Sequence, residues 1–163
     1  YKAIDGYNSK GIELNIQGKI TDELAVVANY SYNEVKYFET TDQWSKTDKQ
    51  VNVPKDIYGA FLSYSPQQGK LKNLSLNGGF HHEGNRVAAW GNQQYIAPAF
   101  TTFDAGVNYG YRNFKIYLNL NNITDTRYAT GGYSSGLAFP GAPRNFRLTL
   151  NYILEKNEKK NIQ

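Results

Sequence analysis

A two-residue alternation of apolar and polar side chains recurs along this chain of 163 residues. Ile12, Leu14 and Ile16 interleave with Glu13, Asn15 and Gln17. Ile116, Leu118 and Leu120 interleave with Lys115, Tyr117 and Asn119, and Phe146, Leu148, Leu150 and Tyr152 with Asn145, Arg147, Thr149 and Asn151. Successive side chains of a strand point to opposite faces, so each stretch has one apolar and one polar face. The stretches match the length of roughly 9–11 residues with which a tilted strand crosses a bilayer. Aromatic residues gather at their ends. The pattern implies an all-β protein, an antiparallel transmembrane barrel with a polar interior, and so a protein that moves or admits something.

Composition narrows the alternatives. No apolar run approaches the roughly 18 residues of a membrane helix, which excludes helical spans but not barrel strands. Cysteine is absent, so disulfides and thiolate metal sites are excluded. The 14 tyrosines suit the strands of an ordinary β-protein and also membrane interfaces, where an apolar ring meets a wet hydroxyl. The net charge of +4 is not laid out as a basic stripe among stacking aromatics, which argues against a nucleic-acid partner. Glu155-Lys156-Asn157-Glu158-Lys159-Lys160-Asn161 predicts a polar, disordered tail over residues 155–163, following a barrel portion over residues 1–154. The chain opens in mid-pattern at Tyr1 without a signal peptide, and is expected to be the C-terminal piece of a longer protein.

Seven strands are expected, at Ser9–Ile20, Leu24–Lys36, Val53–Ser65, Leu74–Trp90, Phe100–Tyr111, Phe114–Ile123 and Pro143–Leu154. Their connections alternate in length. Thr21–Glu23, Gln67–Asn73 and Arg112-Asn113 are short, whereas Tyr37–Asn52, Gly91–Ala99 and Thr124–Ala142 are long. Short turns on one side and long loops on the other mark an outer-membrane barrel, and a soluble sandwich has no reason to sort its loops so. Leu24, Val26, Ala28, Tyr30 and Tyr32 are expected to meet lipid, as are Leu74, Leu76, Gly78 and Phe80, and Phe103, Ala105, Val107, Tyr109 and Tyr111. The third strand is ambiguous, because Phe61 and Leu62 put apolar groups on both faces.

His81-His82-Glu83 is the one cluster that suggests a metal or an acid–base pair. His81 and Glu83 share a strand face about 7 Å apart, but two ligands do not close a site. They are read as polar lumen residues near one rim. No third group for a nucleophile–base pair is obvious, so an enzyme is not expected. The long loops carry the stronger signal. Their aromatics give contact area at low entropy cost, and Trp44, Trp90, Tyr95, Tyr133 and Phe139 are the candidate ligand contacts. The competing reading is that these rings anchor the interface or pack loop on loop.

Several segments resemble a known family. Leu118-Asn119-Leu120-Asn121-Asn122-Ile123-Thr124-Asp125-Thr126-Arg127-Tyr128 is similar to the "LNVNNLFDKRY" stretch near the end of TonB-dependent outer-membrane receptors. Gly141-Ala142-Pro143-Arg144 resembles the "GAPR" that opens their final strand, and Val53-Pro54-Lys55 the "VPKH" that leads into an earlier one. Gly79–Arg86 followed by Ile96–Asp104 is similar to "GGxxYxGxR…xVPxYTxxD". The order is the family's over most of residues 50–154, and the variant most resembles ferric-siderophore receptors of the ferrichrome or hydroxamate kind. The resemblance implies a barrel of about 22 strands around an N-terminal plug, of which this chain would supply the last seven. It also implies short periplasmic turns, extracellular long loops and a Gram-negative outer membrane. A ferric siderophore would be the cargo, with no resident cofactor or metal. The TonB complex, acting through a plug this chain lacks, and the outer-membrane lipid would be partners. Three other readings remain open: a receptor of this class for cobalamin, haem or a saccharide, a passive porin, and a soluble all-β binding module.

Overall fold

The computed structural model describes residues 6–37, 50–88, 95–134 and 137–154. The strands in chain order are β1 (Tyr7–Lys19), β2 (Leu24–Tyr37), β3 (Asp56–Tyr64), β4 (Leu74–Glu83), β5 (Arg86–Val87), β6 (Ile96–Ala97), β7 (Phe100–Tyr111), β8 (Phe114–Asn121), β9 (Ala129–Ser134), β10 (Leu137–Pro140) and β11 (Asn145–Tyr152). Seven of them form one sheet in the order β1-β2-β3-β4-β7-β8-β11, with every neighbour antiparallel. These are the seven segments expected from alternation. The two short pairs, β5–β6 and β9–β10, lie in long connections and were not anticipated.

Register converts the alternation into two continuous faces. Leu14 stands opposite Tyr30, which stands opposite Tyr58, and Val107 opposite Leu118, which stands opposite Leu148. Leu76 sits between Tyr64 and Val107 on the same side. Glu13, Ser31, Asn29, Asn77, Asn119 and Arg147 belong to the other face. The ambiguity of β3 is resolved by the same pairing. Leu62 lies with Val26 and Gly78 on the apolar face, whereas Phe61 lies on the polar face opposite Gly79. A Cβ on Gly79 would stand 2.7 Å from the Phe61 ring, so the glycine makes room for the aromatic.

Among the described residues nothing covers the apolar face. Ile12 is 68% exposed, Leu148 66% and Phe146 73%. Prolines aside, the buried apolar side chains among the described residues are Val35, Val51, Val87, Ala88, Ala97 and Phe100, all at the end of the sheet that carries the long loops. Leaving one large apolar side chain in water forfeits about 1.5–3 kcal/mol, so a face of this extent requires a non-aqueous neighbour. Aromatic side chains bracket the apolar band. Tyr30, Tyr32, Tyr58, Phe80 and His82 stand towards the long-loop end, with Tyr58 stacked on His82 at 4.4 Å. Tyr64, Tyr109, Tyr111, Phe114 and Tyr152 stand at the other end, with Phe114 and Tyr152 at 4.7 Å. Two such girdles around an apolar band are the signature of a membrane barrel wall.

Most element ends shift by a residue or two from expectation, and three of the differences have a clear local reason. β4 stops at Glu83 rather than reaching Trp90, because Gly84 donates its N–H to the Asp56 carbonyl and the Asn85 side chain accepts from the Ala99 N–H. The chain then turns into the separate β5–β6 pair. β3 starts at Asp56 rather than Val53: Pro54 has no N–H to give a ladder, and Asn52 takes a left-handed φ of 64°. β8 ends at Asn121 rather than Ile123, because Asn122 also turns left-handed, with φ 49°.

Candidate functional site

The three long connections meet at one end of the sheet, and the bonds that join them are specific. The connection after β8 is closed at its base by Asn122, which is 3% exposed. Its Nδ2 donates to the carbonyls of Thr126 (2.9 Å) and Ala142 (3.1 Å), and its Oδ1 accepts the Thr126 N–H at 2.9 Å. Its own N–H donates to Asp104 Oδ1 on β7 at 2.8 Å. Asp125 Oδ1 accepts the Arg144 N–H at 2.9 Å. Gly141 lies directly against the Tyr128 ring, where a Cβ has no space. The Asn122–Asp125 and Gly141–Arg144 motifs are therefore two sides of one loop base.

Above this base stands the β9–β10 hairpin. Phe100, at the start of β7, stacks on Tyr128 with centroids 4.1 Å apart. The Arg86 guanidinium lies over the other side of the cluster, 5.5 Å from the Phe100 centroid. Arg86 is 5% exposed. Its Nη1 donates to the Thr130 carbonyl at 2.9 Å, and its Nη2 forms an ion pair with Glu83. Glu83 in turn pairs with His81 Nε2 at 2.9 Å, on the polar face of the sheet. His82 points the other way and pairs with Thr101 Oγ1 at 2.8 Å. The His-His-Glu cluster thus serves the ion pair and the girdle, and among the described residues no group of three or more acidic, histidine or cysteine side chains is placed to hold a metal.

Asn52 bonds two other connections at once. Its Nδ2 donates to the Gly132 carbonyl and its Oδ1 accepts the Gly132 N–H, both at 2.9 Å. Its backbone N–H donates to the Val87 carbonyl at 2.7 Å.

Of the candidate contact residues, Trp44 and Trp90 lie outside the described residues. Tyr95 is half-buried, and its carbonyl accepts the Ala88 N–H at 2.7 Å. Tyr133 on β9 is 70% exposed and Phe139 on β10 is 49% exposed, so one hairpin carries both. Ile96 and Leu137 add further exposed apolar area at this end. The sequence reads Asn121–Asp125 as a strand end with Asx-type turns, as Asn122 shows, but gives Arg86 no role and passes over Asn52. At the opposite end, the polar face holds a concavity of about 300 Å³ whose lining includes Ser75, Asn108, Lys72 and Lys115.

Comparison with known proteins agrees with this architecture. A family model described as "TonB dependent receptor-like, beta-barrel" matches residues 1–123. The chain is 29% identical over 150 residues to the ferrioxamine B receptor of Salmonella typhimurium, covering 89% of this chain and 21% of that protein. It is 26% identical over 149 residues to the ferrichrome outer membrane transporter/phage receptor of Escherichia coli, covering 88% and 20%. The crystal structure of the siderophore receptor PiuA from Acinetobacter baumannii superposes with a TM-score of 0.75 at 23% identity, covering 90% of this chain and 22% of that one. The chain therefore spans about a fifth of the length of the relatives it matches. Its unpartnered apolar face, paired girdles and sorted connections are those of a wall in the Gram-negative outer membrane, and the chain belongs to the TonB-dependent receptor-like β-barrel family.

Proposed function

We propose that this chain is part of the barrel of a receptor that binds a ferric siderophore outside the cell and takes it up, with the long loops forming part of the ligand-gathering surface. Binding and gated passage, rather than bond chemistry, are its work. TonB, acting through a plug outside this chain, would supply the energy. The observation that carries the reading is the hairpin at the long-loop end, which holds Tyr133 and Phe139 exposed above a base closed by Asn122 and Arg86. Exposed rings on a braced support suit an apolar, bulky ligand such as a wrapped ferric chelate. The relatives named for ferrioxamine B and ferrichrome support a hydroxamate cargo.

The test uses the full receptor that contains this chain, expressed in a siderophore-deficient strain lacking its own receptors of this class. Radio-iron uptake from ferrioxamine B and ferrichrome is compared with uptake of haem and cobalamin, with and without TonB. TonB-dependent hydroxamate uptake is expected, and Tyr133→Ala combined with Phe139→Ala should weaken binding about thirtyfold or more, given hot-spot losses of about 1–2 kcal/mol per aromatic. Uptake of haem or cobalamin alone would reassign the cargo, and uptake independent of TonB would favour a passive pore.

A further inference from the structure

We infer that Asn52 and Arg86 are positioning residues that join the described parts of the three long loops into a single body. The hairpin bearing Tyr133 and Phe139 then cannot shift without carrying the other two loops with it. This inference rests on the reading of those loops as the ligand-gathering surface.

The bonds run between segments far apart in sequence. Asn52 and Gly132 are 80 residues apart, and Arg86 and Thr130 are 44 apart. Arg86 holds β9 near its base at Thr130 and Asn52 holds it in the middle at Gly132, so the hairpin is restrained at two heights. Asn52 is unusual in serving two loops at once: its side chain clasps the Gly132 peptide on both edges while its backbone N–H holds Val87. That arrangement needs the left-handed backbone of Asn52, which asparagine tolerates better than most residues. Gly132 packs close enough to loop 84–99 that a Cβ there would stand 2.8 Å from the Ala88 carbonyl. Arg86 adds the second tie. Its ion pair with Glu83 anchors it to β4, its ring contact fixes it over Phe100, and its remaining amino group holds Thr130. Val51, Val87, Ala88 and Ala97 are buried at the same junction, and Arg86 is itself 5% exposed. The Arg86 tie is thus shielded from water and costly to break, and a body held at several points moves as one. A ligand pressing on the hairpin would therefore be felt in loop 50–55, and the ordering cost of binding is met before the ligand arrives.

The test measures loop geometry with no ligand added, so its outcome is independent of what the cargo is. In the full receptor in lipid nanodiscs, with Ile96→Cys and Leu137→Cys as the sole labelled positions, dipolar spectroscopy gives the distance between the two loops. Both sites are exposed and neither takes part in the tie. One narrow distribution is expected. Asn52→Gly keeps the backbone conformation and deletes the clasp; Arg86→Met deletes the second tie. Each should broaden the distribution at least twofold, and Arg86→Lys, which keeps a cation beside Glu83 and a donor for Thr130, should restore much of the narrow form. Unchanged heat-modifiable mobility on gels shows that the barrel itself is intact. Should a variant fail to fold, hydrogen exchange in the unsubstituted receptor decides instead: the amides of Asn52, Ala88 and Gly132 should open with one common rate. Narrow distributions in both variants, or three separate exchange rates, overturn the inference.

Discussion

Replacing Asn122 with alanine should loosen the third long loop without touching the wall. Asn122 is 3% exposed and its side chain makes three hydrogen bonds, two given to the Thr126 and Ala142 carbonyls and one accepted from the Thr126 N–H. Alanine strands all three partners. A buried group left without its partner costs about 1–3 kcal/mol, and the low end applies here because an opening loop admits water to some of them, giving about 3 kcal/mol together. Alanine also tolerates the left-handed φ of 49° less well than asparagine, by about 1 kcal/mol. The sum, about 4 kcal/mol, corresponds to roughly a thousandfold in the opening equilibrium. Hydrogen exchange measured on the full receptor reads this directly at the Thr126 amide, which should lose about three orders of magnitude of protection. Amides within β8 should change by less than threefold, because their ladder to β11 and β7 is untouched. Asn122→Gly removes the backbone part of the penalty and should exchange about fivefold more slowly than Asn122→Ala. A change under tenfold at Thr126 would show that the loop is closed by something other than this side chain.

Two further outcomes follow from the wall. Leu118→Arg puts a guanidinium on the apolar face and should cost roughly 2–4 kcal/mol in urea unfolding of the lipid-inserted receptor, whereas Asn119→Arg on the opposite face should stay within about 1 kcal/mol; equal costs would refute the assignment of faces. The isolated chain, with one free edge on β1 and another on β11, should partition into inclusion bodies and fail to yield a stable aqueous monomer, because unpaired backbone groups at a lipid-facing edge cost several kcal/mol each; a soluble monomer with a cooperative melting transition would count against it.

The wall was legible because its rule is local. Period-2 alternation needs only neighbours in sequence, and Leu14, Val107 and Leu148 each follow it, so seven strands and most of their faces were visible. The faces of β3 were not, because Phe61 and Leu62 are adjacent and both apolar, and only pairing with Gly79 and Gly78 separates them. The boundaries of β4 and β8 failed for the same reason: Gly84 and Asn122 end those strands through bonds to Asp56, Thr126 and Ala142, of which the first and last lie far away in the chain. The site was legible as a region and not as a mechanism. Aromatic content pointed to the loops, and the structure places Tyr133 and Phe139 on one exposed hairpin. Tyr128 follows the other reading of the loop aromatics, packing on Phe100 instead of facing outwards. No local signal links Asn52 to Gly132 across 80 residues, since an asparagine before Val-Pro reads equally well as an ordinary turn.

The two halves of the chain are held by different physics, and this decides what each can vary. The wall gains from lipid on one face and from continuous ladders on both sides of every inner strand, so a single side chain exchanged for another of like polarity changes little. The loops share only a small buried apolar junction of Val51, Val87, Ala88 and Ala97, and their shape depends further on a few point contacts: Asn122 at the base, Arg86 and Asn52 higher up. Of the segments that resemble the family, Gly79–Arg86, Leu118–Tyr128 and Gly141–Arg144 contain Arg86, Asn122 and their partners, and none contains Tyr133 or Phe139. A fixed base with free tips lets the ligand-facing rings be exchanged without rebuilding the support. Selectivity for a particular chelate can then change at positions such as Tyr133 and Phe139 at small cost to the barrel, whereas the same substitution at Asn122 or Arg86 would disturb every ligand alike.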